Sequence, residues 1–331
     1  MSSLAYISHL DTGYEDNIRK GLKYIQAERL ITPGSKIFIK PNLTFPTYQP
    51  GVMTSPQAVE ATILALREYT TQIYLGDSDS GGYNRFSMDE VYRETGIAHF
   101  AEKYGVRVVN LSLEARRVIH FRYRNKNFAL ELPRLLTDDI DLLISLPVPK
   151  MHANSRVSLT FKNLWGCIPE NRDRLRLHPY LEHVVLEVSK ACKAKIAIVD
   201  GRYGLNVNGP MRGIPVRLDW LLVSDSLGAG DRVVTELMQI PLEKIPHLNY
   251  ARRQGYIPEW DQIQLSQSLE PFKKEKFYLK REWTDLPGVL AYNSAFIAYL
   301  GYFSPLAKLL HKILYLFREP FYDYQKHAIK R

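Results

Sequence analysis

Apolar and polar positions along this chain switch repeatedly between a helical and an extended period. Residues 15–30 set Ile18, Leu22 and Ile25 at helical spacing, which predicts a helix ended by Pro33-Gly34. KIFIK (36–40) is a short β-branched and aromatic run and reads as a strand. A second helix is expected over 56–70, with Pro56 in its first turn after Thr54-Ser55. QIYLG (72–76) reads as a strand, 88–104 as a helix and VRVVNL (106–111) as a strand. Residues 116–134 alternate apolar with basic positions, as a hairpin turning near Asn125–Asn127 would. DIDLLISLP (139–147) predicts a buried strand. A helix over 180–195, strands at 196–201 and 220–226, and a helix over 228–238 follow.

Strands alternating with helices predict an α/β fold: a doubly wound, mostly parallel sheet, here with a C-terminal helical extension. The strands run into Lys40-Pro41-Asn42, Gly76-Asp77-Ser78, Lys150-Met151-His152, Asp200-Gly201 and Ser224-Asp225. Ligands in open α/β sheets bind outside the carboxyl ends of strands. All five polar ends are therefore expected to meet on one edge.

The pattern changes near residue 245, which suggests a core domain over 1–245 that holds the site and a different segment over 246–331. Residues 271–283 are basic and aromatic, and 288–317 are rich in Leu, Tyr, Phe and Ile. Pro305 and the polar positions Asn293, Ser294, Lys308, His311 and Lys312 interrupt the apolar run. A membrane span needs about 20 predominantly apolar residues. Two amphipathic helices are expected instead, packed on the core or a partner, or lying on a membrane surface.

The chemically capable side chains are densest over 142–178. Pro147 and Pro149 stiffen the exit of the strand that leads to Lys150 and His152. His152 suits general acid/base work, since imidazole titrates near neutrality. Lys162, flanked by Phe161, Leu164 and Trp165, is placed for partial burial, as a base, nucleophile, attachment point or cation. Asn163 adjoins it, and His178 follows Arg172, Arg174 and Arg176, a strand or loop whose arginines could hold a carboxylate or phosphate. Lys40, Asn42, Asp77, Ser78, Lys150, Asn163 and Asp200 are the expected lining. Asp77, Asp200 and Asp225 could share a divalent cation, or each could cap a helix.

Composition narrows the partners. The chain has 44 Lys+Arg against 35 Asp+Glu, a net charge of +9, which favours an anionic ligand or serves solubility. No RRM, KH or helix-turn-helix signature points to a specific nucleic acid. The only two cysteines, Cys167 and Cys192, form no CxxC, so no iron–sulfur cluster or thiolate zinc site is expected. Neither a Walker loop nor a GxSxG elbow occurs. The first twenty residues lack a basic and then apolar leader pattern, and a cytoplasmic protein is expected, with membrane association through 288–317 as the alternative.

IKPNLT (39–44), TSP (54–56), GDS (76–78), PKMH (149–152), FKNLWG (161–166), VDG (199–201) and SDSLGAGD (224–231) occur here in order. With these runs the chain resembles the family described as domain of unknown function 362. Many members of that family carry an added ferredoxin-like module, for which this chain lacks the cysteines. His152, Lys162 ten residues on and His178 sixteen further also resemble a spacing in the nickel-pincer lactate racemases. That resemblance implies His152 as acid/base, Lys162 as anchor of the pincer cofactor and His178 as nickel ligand. It departs at 76–82, where the racemases need a second acid/base histidine and this sequence has Asp and Ser.

The expectation is an enzyme that transfers a proton on an anionic carboxylate or phosphate, with a divalent metal or pincer-type cofactor as an option. The alternatives are a non-catalytic binder of anionic ligands and an accessory of a redox pathway.

Overall fold

The computed structural model describes residues 2–81, 86–320 and 322. The strands are β1 (Ser3–His9), β2 (Ile37–Pro41), β3 (Ile73–Asp77), β4 (Arg107–Asn110), β5 (Arg116–Tyr123), β6 (Lys126–Pro133), β7 (Leu142–Leu146), β8 (Lys150–His152), β9 (Arg156–Ser158), β10 (Ala194–Asn206), β11 (Ile214–Ser224) and β12 (Ile263–Leu265). The main sheet runs β12-β1-β11-β10-β7-β2-β3-β4, with β8 paired to the end of β10 and β9 paired to β8. From β10 to β4 every pairing is parallel. β5 and β6 stand apart as the expected antiparallel hairpin.

Every residue of β2, β3 and β7 is buried, as strands covered on both faces must be. Successive side chains point to opposite faces. Ile37 and Ile39 pack with Ile18, Leu22, Val59 and Ile63 of helices Tyr14–Tyr24 and Pro56–Leu66. Phe38 and Leu143 face the other way, toward helices Leu181–Ala191, Leu227–Leu237 and Pro246–Arg253. The sheet is therefore doubly wound.

Several elements differ from the pattern-based reading. β11 runs antiparallel to β10, because the short link 207–213 can only return the chain alongside the strand it left. Ser224-Asp225 consequently lies at the opposite edge, where an Asp225 carboxylate oxygen accepts the Leu4 N–H at 3.0 Å. The expected five-way meeting, and a cation shared by Asp77, Asp200 and Asp225, fail for that reason. The 88–104 helix divides into Met88–Glu94 and His99–Tyr104 around Gly96, whose φ of 78° suits glycine. Residues 171–177, read as a strand or loop, form a helix. β1 and β12, at one side of the sheet, carried no clear strand signal.

Residue 245 is not a boundary in space. Leu248, Phe272 and Phe277 lie in the main core, and β12 pairs with β1. Departure from the core comes later, at the short helices Leu286–Ala291, Ala295–Ala298 and Ala307–Leu314. Ala291 and Ala298 pack with Leu175 of the Asn171–Leu177 helix, so this segment roofs one side of the site. Among the described residues no helix is long and apolar enough to cross a membrane.

Candidate functional site

The parallel register of β2 and β3 delivers Lys40 and Asp77 to one edge. Lys40 Nζ lies 2.6 Å from Asp77 Oδ2, with both side chains buried, and also donates to the Pro41 carbonyl at 2.7 Å. Asp77 accepts the Ser78 N–H at 2.8 Å and the Leu43 N–H at 3.2 Å. Burial pushes its carboxyl upward, and Lys40 and these N–H groups oppose that rise.

Lys150, the first residue of β8, donates to Asn42 Oδ1 and to the Val52 carbonyl. Burial pushes its amine down to about 7, with Asp77 opposing the fall and Lys40 adding to it. His152, two residues on, accepts the backbone N–H of Asn154 at 3.1 Å on Nδ1. The neutral ring then carries its proton on Nε2. Burial first, then Lys162 and His178, hold its pKa well below the usual imidazole range.

The helix Thr160–Asn163 begins under Asp231, whose carboxylate accepts the N–H groups of Thr160 at 2.7 Å and Phe161 at 3.2 Å. This fixes Lys162, which is only 7% exposed with its Nζ 5.1 Å from the centre of the Trp165 ring. Burial, followed by Lys150 and Arg174, pushes the Lys162 amine down to about 7. Asn163 donates to the Lys40 carbonyl at 2.8 Å and to Ser145 Oγ at 3.1 Å, while its own buried Oδ1 has no partner among the described residues. Ser78 Oγ donates to the Gly166 carbonyl at 2.6 Å, tying the β3 loop to the FKNLWG turn.

A cavity of about 140 Å³ lies among these groups, lined by Lys40, Asn42, Asp77, Ser78, Lys150, His152, Lys162 and Asn163 with Asn171, Arg174 and Tyr292. Four cations thus face one carboxylate, which Lys40 already neutralises. Two expected residues lie outside this lining. His178 sits behind it, its ring 5.7 Å from Trp165 and 4.5 Å from Tyr292, with Nε2 buried and unpartnered among the described residues. Asp200 is spent on structure, accepting Tyr14 Oη–H at 2.6 Å and the Ser55 N–H at 2.9 Å.

Two contributors were not singled out by the sequence. Arg174 is one of three arginines expected to hold an anion, and only the helix shows that it is the one that turns inward, donating to the Asp79 carbonyl at 2.7 Å with Nε buried and unpartnered among the described residues. His247 belongs to no motif, yet it is buried with neither ring nitrogen partnered among the described residues, and burial followed by Lys162 pushes its pKa down to about 3.

The lining offers few metal ligands. Among the described residues no group of three or more His, Cys, Asp or Glu is placed to hold a metal ion. A dication would add charge to an already cationic pocket. The loop facing Lys162 supplies Asp77, tied to Lys40, where the racemase arrangement needs a histidine. The donor set therefore does not fit a pincer-type centre.

A doubly wound α/β domain with a cationic pocket at the strand ends is the class that this geometry defines. The chain belongs to the family described as Domain of unknown function (DUF362), whose model matches residues 37–236. It is 27% identical over 241 residues to a thylakoid-associated protein of Synechocystis, covering 69% of this chain and 70% of that protein. Among solved structures it is similar to a Thermotoga maritima protein (TM-score 0.34, 13% identity, 61% of this chain and 52% of that one). It is also similar to the lactate racemase apoprotein of Thermoanaerobacterium thermosaccharolyticum (TM-score 0.46, 14% identity, 72% of this chain and 56% of that one). The chain spans little more than half the length of these two solved chains.

Proposed function

We propose that this site binds an anionic small molecule, a carboxylate or a phosphate, and transfers a proton on it. The observation that carries this reading is the pair Lys150 and Lys162. Both amines are buried, both are pushed down to about 7, and neither has a carboxylate salt-bridge partner among the described residues. A bound anion would supply the missing counter-charge. An amine that titrates near neutrality holds and releases a proton readily, which is what a general acid/base needs. Lys150 and Arg174 serve as cations in this reading, Lys162 as cation or proton-transfer group, and His152 as an Nε2–H donor to a substrate oxygen. His178 and His247 are neutral reserves behind Lys162.

The test is hydrogen exchange in D2O, followed by NMR, over a panel of small carboxylates and phosphate esters. Incorporation of deuterium at carbon that disappears in Lys162→Ala supports proton transfer. Binding without exchange across the panel favours the second reading, a non-catalytic binder, for which the fixed Lys162–Trp165 contact is the supporting observation. The exposed apolar face within 288–317 supports a peripheral membrane contact, in keeping with a relative that is, by its name, thylakoid-associated.

A further inference from the structure

The polar cavity has a second lobe that the proposed chemistry does not use. It shares Gly81, His152, Pro210, Met211 and Tyr292 with the polar lobe and has a volume of about 110 Å³. Phe45, Val289, Tyr302 and Tyr315 make one part of its wall apolar, and Arg212, Asp285 and Arg318 line another part. A small hydrophilic anion would leave this lobe without a role.

The wall itself reaches the surface. Helix Leu286–Ala291 turns Gly288 and Val289 toward the lobe and exposes Leu286 and Leu290 on its other side. Eleven of the sixteen exposed large apolar side chains among the described residues fall between Trp283 and Phe317, including Phe296, Leu309, Leu316 and Phe317. An apolar concentration of this kind marks a contact surface. Residues 286–317 contain no Asp or Glu, while Lys308 and Lys312 are exposed among the leucines. Basic residues beside an apolar face complement an anionic lipid surface.

We infer that the ligand is an anionic amphiphile drawn from a lipid surface, its charged head among Lys150, Lys162 and Arg174 and its apolar part in the second lobe. This rests on the anion reading above and specifies the ligand class. The 286–317 face lies on the anionic membrane, and the lobe behind it receives the chain.

Calorimetric titration of the full-length protein with acetate, hexanoate and decanoate below their micelle concentrations, with inorganic phosphate and 1-decanol alongside, tests it. Affinity is expected to rise roughly fourfold per added buried methylene, and decanoate to bind at least tenfold tighter than decanol. Val289→Trp should reduce decanoate affinity at least tenfold more than acetate affinity. Acetate or phosphate binding with no gain from chain length would overturn the amphiphile and leave the anion reading standing. If no anion bound, both would fall. Equal binding of decanol and decanoate would also overturn it.

In a second arm, the protein should sediment with phosphatidylglycerol vesicles and not with phosphatidylcholine vesicles, and Leu309→Asp with Leu316→Asp should abolish this. Failure of the wild type to sediment, or a face covered by a second copy in a stable dimer, would overturn the lipid source.

Discussion

A β-carbon on Gly166 would stand 2.4 Å from Asp77 Oδ1 and 2.7 Å from Lys40 Nζ. The glycine of the FKNLWG turn is thus the space in which the buried Lys40–Asp77 pair is made. Gly166→Ala must displace that pair and is expected to cost about 1–3 kcal/mol, the usual range for overpacking. Urea denaturation measures it, and an unchanged midpoint would show that the turn has room to spare.

The pair itself holds β2 to β3 at the mouth of the cavity. Lys40→Met leaves a buried Asp77 without its cation, an error that costs about 3–5 kcal/mol in comparable sites. The loss should shrink when Asp77→Asn is added, since the orphaned charge goes with it. A double-mutant cycle reads the coupling, and additive effects would mean that the two side chains act independently.

Lys150 and Lys162 tie stability to pH in a stated direction. Each folded-state pKa, about 7, lies below the ordinary lysine value of 10.5. Between pH 7 and 10.5 the unfolded chain therefore binds more protons, and native stability rises with pH across that window. Lys162→Met should remove its share of the rise, on the order of 3–5 kcal/mol, and should stabilise the protein at pH 7. Denaturation at pH 7 and 9.5 gives both numbers. A stability independent of pH in the wild type would contradict these depressed values.

Asp231 acts on the site without lining it. Its carboxylate holds the first two N–H groups of the helix that bears Lys162. Asp231→Ala leaves two buried donors unpaired, at about 1–3 kcal/mol each, and should weaken phosphate binding by loosening Lys162. Intact affinity in a destabilised variant would confine Asp231 to folding.

Motif-bearing segments were readable because their residues sit directly after apolar strands. Lys40 and Asp77 lie at the ends of β2 and β3, Lys150 opens β8 just after β7, Lys162 lies on the helix Thr160–Asn163, and the structure gathers all four. Asp200 shows the same local signal but turns to Tyr14 and Ser55, a choice made by packing partners far away in sequence. Ser224-Asp225 misled because alternation of apolar residues marks a strand and not its direction. Direction came from the short 207–213 link. Arg174 and His247 were hidden for related reasons: the first needs helical geometry to be told from Arg172 and Arg176, and the second comes from a helix whose sequence carries no motif.

We propose that Lys150 and Lys162 form a cationic site for an anion. Calorimetric titration with inorganic phosphate at pH 6 and pH 8.5 tests it most directly. Affinity should be highest at pH 6, where both amines are protonated, and fall at least tenfold by pH 8.5, with protons taken up on binding at the higher pH. Lys150→Met with Lys162→Met should abolish it. Phosphate affinity that is the same at both pH values and survives the double substitution would contradict the account.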